Sequence, residues 1–347
     1  MTRKLATVRK VLDIRPIENA DAIELAIIGG WQCVVKKGDF KVGDLGVYFE
    51  IDSFMPVEPR YEFLRKSSYR QLPTGEEGFR LRTVRLRGAL SQGLLLPMTD
   101  FSDLPVDTYD LTSFLKIAKY EPPMPACLAG DAVGAFPSDI PKTDAERIQN
   151  LPEYFEQYKD AEFEVTEKLD GSSCTLFRNN DKLGVCSRNW EMKESDRNTY
   201  WLVAKKILPY IGKNLALQGE VVGEGIQKNP LKIRGQKFYL FTVYDLDLHV
   251  YLDPERRMLC FEALRRAGAE LEHVPIIEPR IKLFSAYPTM EALLSYADGK
   301  SVICKGADRE GLVFKPWNYG LNTATPWSYG ATIFKAISNA HLLKQKD

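Results

Sequence analysis

The chain has no net charge: over its 347 residues, Lys plus Arg and Asp plus Glu both number 47. A nucleic-acid partner is therefore not announced by global charge and would have to be held by a local patch. No apolar run approaches a membrane span, and "MTRKLATVRKVLDI" lacks the apolar core of a signal peptide. A cytoplasmic protein without membrane contact is expected. Histidine is scarce, limited to His249, His273 and His341. The six cysteines, Cys33, Cys127, Cys174, Cys186, Cys260 and Cys304, form no C-x-x-C pair. No zinc site is expected, and reduced thiols are the better reading. Cys174 and Cys186 fall in neighbouring predicted strands and read as small buried residues. Internal repeats and low-complexity tracts are also missing.

What is present is a hydrophobic share of 44%, enough for real cores and too evenly spread for disorder. The length suits two domains or one large one. Residues 1–105 read as all-β, with short runs such as "WQCVVKK" and "LGVYFEI" between Gly-rich turns. That spacing predicts a small barrel or sandwich, with an OB-like barrel as one candidate. Residues 106–150 read as a connection, rich in Pro, Gly and Ala, leading into "KTDAERIQNLPEYFEQYKD". The latter looks helical, with Thr143 or Asp144 as a cap and Pro152 interrupting it. From 151 to 347, strands and helices alternate. A mixed α/β unit with a largely antiparallel sheet fits better than a regular βαβ wind, so the class is α+β.

"FRLRTVRLRG" puts four arginines on one predicted strand, Arg80, Arg82, Arg85 and Arg87. Phe79, Leu81 and Thr83 share one face. The phase flips at Val84, so a bulge near Thr83–Val84 would return Arg85 and Arg87 to the solvent side. The stripe reads either as a solvated face that discourages edge pairing or as a phosphate contact.

"EKLDGSS" places Lys168 between Glu167 and a tight turn, with Asp170 two residues on. A lysine is a nucleophile only as the neutral amine. Alone, K-x-D-G is as well explained by a strand-end turn with a solvated lysine. Other segments also end a predicted strand with a charged or apolar group. "CSRN" offers Arg188, a fork for a carboxylate or phosphate. "LQGEVVGEG" offers Glu220. "FYLFTVYDLD" offers Phe241, an apolar face for a base. "DREGLVFKP" offers Glu310 and Lys315, and "IFKAIS" offers Lys335.

In this order, those segments resemble the covalent nucleotidyltransferase superfamily of ATP-dependent DNA ligases, RNA ligases and capping enzymes. The closer resemblance is to the RNA ligase family of the Deinococcus and Naegleria type, with an OB domain ahead of the ligase domain. "ADAIELAIIGGWQCVVKKGDFKVGDLGVYFEIDS" is similar to that family's N-terminal module, and "FKAISNAHLLK" to its C-terminal end. The resemblance implies that Lys168 takes AMP from ATP as a phosphoramidate. It implies that Asp170, Glu220 and Glu310 hold a hydrated Mg²⁺ or Mn²⁺ or the nucleotide. Glu167 would line the ATP site, and Arg188 would contact ribose or the acceptor end. Phe241 would stack on adenine, while Lys315 and Lys335 bind the α-phosphate. Arg147 is open between a phosphate contact and a helix-surface arginine.

The implied activity is sealing of 3′-OH/5′-phosphate nicks, with an RNA 3′-OH strand, in RNA repair. The implied partner is a nicked duplex, bound by a monomer. One departure is that a K-x-K pair ends many ligases, whereas Ala336 and Ile337 follow Lys335. The competing readings are a DNA ligase, a capping enzyme, and a non-catalytic OB-containing nucleic-acid binder.

Overall fold

The computed structural model describes residues 3–72, 74–101, 104–105, 108–121, 131–317 and 332–344. The chain divides into two compact units, Met1–Met124 with Gln149–Pro152, and Pro125–Ile148 with Glu153–Asp347.

The first unit is built from antiparallel strands. Ala6–Lys10 pairs with Leu45–Phe49, which pairs with Leu94–Pro97. Asp13–Pro16, Ile23–Ile28 and Trp31–Lys36 form a meander. Ser53–Pro56 lies between Ala118–Lys119 and Glu77–Arg80, and Tyr69–Gln71 follows Glu77–Arg80 in that sheet. Period-two burial places Trp31, Cys33 and Val35 inside, as a half-buried strand requires. A second apolar cluster gathers Phe49, Met55, Tyr61 and Phe79. Asn150 returns to this unit, accepting from Trp31 Nε1 at 2.7 Å and donating to Glu50 at 2.9 Å.

The arginine stretch is not one bulged strand. It splits into Glu77–Arg80 and Thr83–Leu86, in different sheets. Leu81 exchanges backbone hydrogen bonds with Asp52 and Ser53, and the chain then leaves that sheet at Arg82. Thr83–Leu86 pairs with Ala89–Gln92 through a two-residue turn. There Arg87 and Gly88 both have positive φ, 47° and 87°. This is the type I′ hairpin geometry, whose twist matches the flanking strands.

The second unit holds two sheets. The larger runs Ala132–Ala135, Trp190–Met192, Lys182–Cys186, Ser172–Asn179, Leu215–Gly223, Gln236–Asp245, Val250–Tyr251. Glu272–His273 adds to Gln236–Asp245 in parallel. The smaller sheet runs Glu146–Arg147, Phe334–Ile337, Gly311–Pro316, Glu162–Lys168, Ile276–Lys282. Only its Glu146–Arg147 pairing is parallel. The helices Thr199–Ala204 and Pro254–Ala267 cover the large sheet, packing Trp201, Val203, Phe261 and Leu264 on Leu176, Leu217 and Phe238. Asp253 caps the longer helix by accepting from Arg256 N–H at 2.8 Å, and Gly268 ends it with φ of 108°. No helix among the described residues is long and apolar enough to cross a membrane.

Residues 142–160 are not the expected interrupted helix. Glu146–Arg147 is a strand, Ile148–Asn150 a 3₁₀ turn, and Tyr154–Gln157 one helical turn. The open edge of Phe334–Ile337 captures the backbone of Glu146 and Arg147. Tertiary pairing outweighs a helical propensity worth only tenths of a kcal/mol per residue. Lys182–Cys186 folds back on Ser172–Asn179 through a tight turn, with Asn180 at φ 52°. Cys174 and Cys186 are buried and unpaired, and Cys127 lies outside the described residues.

Candidate active site

Lys168 is the last residue of a strand held on both edges. Glu162–Lys168 pairs with Ile276–Lys282 and with Gly311–Pro316, where Lys168 stands opposite Gly311. That register brings Glu310 beside the lysine, with Lys168 Nζ 2.7 Å from Glu310 Oε1. The next three residues cross from the small sheet to the large one. Leu169 is buried among Val222, Leu231, Tyr239 and Val274, which anchors the crossing. Gly171 has no room for a side chain, since a Cβ there would lie 2.5 Å from Val222 Cγ1 and 2.6 Å from Val221 O. The glycine therefore permits the close approach that starts Ser172–Asn179. In that strand Ser173 faces Glu220, so the second carboxylate arrives from the neighbouring strand.

The charges of these groups are interdependent. Burial pulls the Lys168 ammonium down, but Glu310, Glu220 and Asp170 together hold it above its ordinary value. Burial pushes Glu220 up to about 8, and the nearby Glu310 and Asp170 add to that, against Lys168 and Arg188. Asp170 is raised by burial and by Glu310, and is opposed by His341 and Lys168. Lys168 is thus held as the ammonium, the form in which a lysine is not nucleophilic.

Arg309 precedes Glu310 in the chain and is itself anchored by backbone carbonyls. Its guanidinium donates to the carbonyls of Tyr296 at 2.6 Å, Asp298 at 2.9 Å and Ala297 at 3.1 Å. These are orphan acceptors at the end of the helix Met290–Ala297. Glu167 is buried, accepts from Val302 N–H at 2.8 Å, and is raised by its burial. It ties the Ser301–Cys304 stretch to the strand that carries Lys168. Phe241 is half-buried beside Leu169 and Val222.

Lys315 is 1% exposed, and its ammonium donates to Phe241 O at 2.5 Å. Around it lies a buried ionic group. Arg257 binds both oxygens of Glu164, at 2.6 and 2.8 Å, and donates to His273 Nε2 at 3.0 Å. His273 Nδ1–H then donates to Val274 O, which fixes the neutral tautomer. Burial and Arg257 hold His273 down to about 3. Burial and Arg257 lower Lys315 to about 7, against the pull of Glu164.

Arg188 sits in a tight turn closed by the bond from Ser187 N–H to Trp190 O at 2.9 Å. Its Nη2 lies 3.1 Å from Asp144, and Lys335 Nζ lies 3.2 Å from the same carboxylate. Residues two before and two after Lys335 are Ile333 and Ile337, both buried, so Lys335 has no K-x-K partner in either direction. Arg147 is not a helix-surface arginine. It is buried on a strand, opposite Lys335.

Residues 161–337 match the family model for RNA ligases, and residues 5–98 match an OB-fold domain. This chain belongs to the RNA ligase family. A mutant of the Naegleria gruberi RNA ligase with ATP and Mn is 47% identical, with a TM-score of 0.88 over 99% of this chain and 100% of that one. Another mutant of that enzyme, with AMP and Mn, is 47% identical with a TM-score of 0.89 over 99% and 100%. The Naegleria gruberi enzyme with PPi is 47% identical with a TM-score of 0.87 over 98% of each chain. No curated protein matches in sequence. The chain is therefore an RNA ligase, with an OB-fold unit ahead of a mixed, mostly antiparallel ligase unit.

The four arginines of the Phe79–Gly88 stretch fall into two pairs. Arg80 stacks on Tyr120, with 4.1 Å from guanidinium carbon to ring centre. Arg82 is partly buried and lowered by burial and by neighbouring Arg70 and Arg80. Arg85 and Arg87 are exposed, with Arg85 donating to Gly88 O at 2.6 Å. In the ligase unit, the carboxylates Asp170, Glu220 and Glu310 surround Lys168, while Arg188 and Lys335 meet at Asp144. Asp144, Arg309, Arg257 and Glu164 escaped the sequence reading. For Glu164 a signal existed, since it alternates with the apolar Phe163 and Val165 in a strand buried on both faces.

Proposed function

We propose that this RNA ligase uses ATP to seal 3′-OH/5′-phosphate nicks through AMP carried on Lys168. The observation that carries the reading is Lys168, 2.7 Å from Glu310 and within the field of Glu220 and Asp170. The ATP or AMP held by the similar Naegleria gruberi structures supports it. In the first step the Lys168 ammonium loses a proton, and the Glu310 carboxylate is placed to take it. The amine attacks the α-phosphorus, an N–P bond forms, and the bond to pyrophosphate breaks. In the second step a 5′-phosphate oxygen takes AMP from Lys168, which recovers a proton. In the third a 3′-hydroxyl attacks that 5′-phosphorus and AMP leaves. Phosphoryl-type transfer of this kind depends mostly on positioning and charge.

Asp170, Glu220 and Glu310 fit a cation held through its own waters. Burial raises Glu220 and Asp170, and the neighbouring carboxylates add to that. Among the described residues, no three His, Cys, Asp or Glu side chains form a direct ligand set. Mg²⁺ and Mn²⁺ suit such a site, and when bound either ion offsets phosphate charge and favours the neutral amine. Arg188 and Lys335 bind nucleotide phosphate or ribose, and Phe241 offers its face to adenine. The partner is a nicked duplex with an RNA 3′-OH strand, bound by a monomer, and the setting is RNA repair. The 2′-hydroxyl is the group by which the acceptor is recognised as RNA.

The test is incubation with Mg²⁺ and ATP labelled on the α-phosphate, followed by denaturation. Wild type carries the label and Lys168→Ala does not. Nicks ending in an RNA 3′-OH are sealed faster than DNA ones. An unlabelled wild type, or equal labelling of Lys168→Ala, overturns the reading.

A further inference from the structure

Asp144 joins the two cations that the function above assigns to the nucleotide. Its Oδ2 lies 3.1 Å from Arg188 Nη2, and its Oδ1 lies 3.2 Å from Lys335 Nζ. Three separate stretches deliver these groups. Arg188 comes from the turn at Ser187–Trp190, and Lys335 from the strand Phe334–Ile337. Asp144 precedes Glu146–Arg147, which runs parallel to the Lys335 strand with Arg147 opposite Lys335. The backbone pairing thus brings Asp144 to Lys335, and its second carboxylate oxygen reaches Arg188. A carboxylate bridging two cations offers two oxygens and a negative charge, as the non-bridging oxygens of a phosphate do. The Arg188 and Asp144 side chains are 57% and 47% exposed, so solvent and ligand reach the bridge.

We propose that Asp144 is an internal substitute for a nucleotide phosphate. It holds Arg188 and Lys335 when the nucleotide is absent and gives them up when ATP or AMP binds. The inference rests on the ATP reading. A state in which the cations are already engaged lowers the apparent affinity by the fraction of molecules so engaged. The same carboxylate retakes the cations as AMP departs, which favours product release. Half-exposed ion pairs are weak, so the competition is modest. Removing the charge of Asp144 tightens nucleotide binding roughly three- to tenfold.

The experiment uses the full chain carrying Lys168→Ala, in which no covalent AMP forms, titrated with ATP and Mn²⁺ in a calorimeter. Adding Asp144→Asn lowers the dissociation constant, and Asp144→Ser does the same by removing the carboxylate in a second way. The gain shrinks when Arg188→Gln is also present, because the competing pair is already broken. A general structural effect of the substitution would not depend on Arg188. Unchanged or weaker binding in both Asp144 variants overturns the proposal, and weaker binding would make Asp144 a residue that orients the cations. If the Lys168→Ala chain with Asp144 intact binds no ATP, the ATP reading falls and the inference falls with it. If that chain binds ATP and neither variant binds it more tightly, the inference alone falls.

Discussion

The charge state of Lys168 is set by residues far away in sequence, and this determines a pH signature. Glu220 is held protonated between its ordinary 4.5 and about 8, chiefly by burial. The folded state therefore binds a proton in that window that the unfolded state has lost. The sign follows: this stabilisation is complete below about 4.5 and disappears as pH rises towards 8. Other groups overlap. His273, lowered to about 3, adds stability as pH rises to its ordinary 6.5, and Lys315, lowered to about 7, adds it above that. The clean measurement is therefore a difference. Melting of the nucleotide-free protein is compared with Glu220→Gln, which keeps the shape and drops the titration. The stability of wild type relative to the variant should fall between pH 5 and pH 8, on the order of 2 kcal/mol. A gap that stays constant with pH would show that Glu220 ionises normally. The crossing at Lys168–Gly171 was legible in sequence, because the glycine of K-x-D-G marks the close approach that the chain makes there. Asp144 was not, because a polar residue ahead of a charged run also reads as a helix cap.

Strands were easier to anticipate than the ion pairs that fasten them. The runs around Lys168, Glu220, Phe241 and Glu310 are strands, as their apolar β-branched and aromatic content suggested. Residues 142–160 were misread, because an unpaired strand edge 188 residues downstream decided their conformation. The helix Pro254–Ala267 carries a fully buried arginine, Arg257. "PERRMLCFEALRRAG" gives no sign of which arginine turns inward. Only the fold brings Glu164 to it, from a strand 93 residues earlier. Removing one partner of such a pair leaves a buried charge uncompensated, so Arg257→Met should cost about 3–5 kcal/mol. Replacing both, as Arg257→Met with Glu164→Leu, removes the unpaired charge and should restore most of that loss. Urea titrations of the two single variants and the double variant measure both values. A double variant no more stable than Arg257→Met alone would place the loss in packing rather than charge.

At the scale of the molecule, the order of the two units was readable because each carries its own signature, Gly-rich turns between short strands in one and the nucleotide motifs in the other. The division in space is less simple than the division in sequence. Gln149–Pro152 belongs with the first unit, although the residues on either side belong with the second. The bond from Trp31 to Asn150 and the bond from Asn150 to Glu50 explain that return, and no local pattern announces it. The OB unit allows a test of its own, because the expected phosphate contact falls on its arginine stretch. Arg85 and Arg87 are exposed around a type I′ hairpin, whereas Arg80 and Arg82 are partly buried among Tyr120 and Arg70. Only the outer pair is free to meet a phosphate backbone without unpacking the unit. Each phosphate contact releases counterions, so the logarithm of affinity falls against the logarithm of salt with a slope of roughly 0.7–0.9 per contact. Arg85→Ala with Arg87→Ala should therefore lower the slope for nicked duplex binding by about 1.5. Labelling of Lys168 by ATP should stay unchanged, because that step needs no nucleic acid. An unaltered slope would make the stripe a solvated face that protects the sheet edge. A lost slope together with lost labelling would mean that the hairpin serves the ligase unit as well.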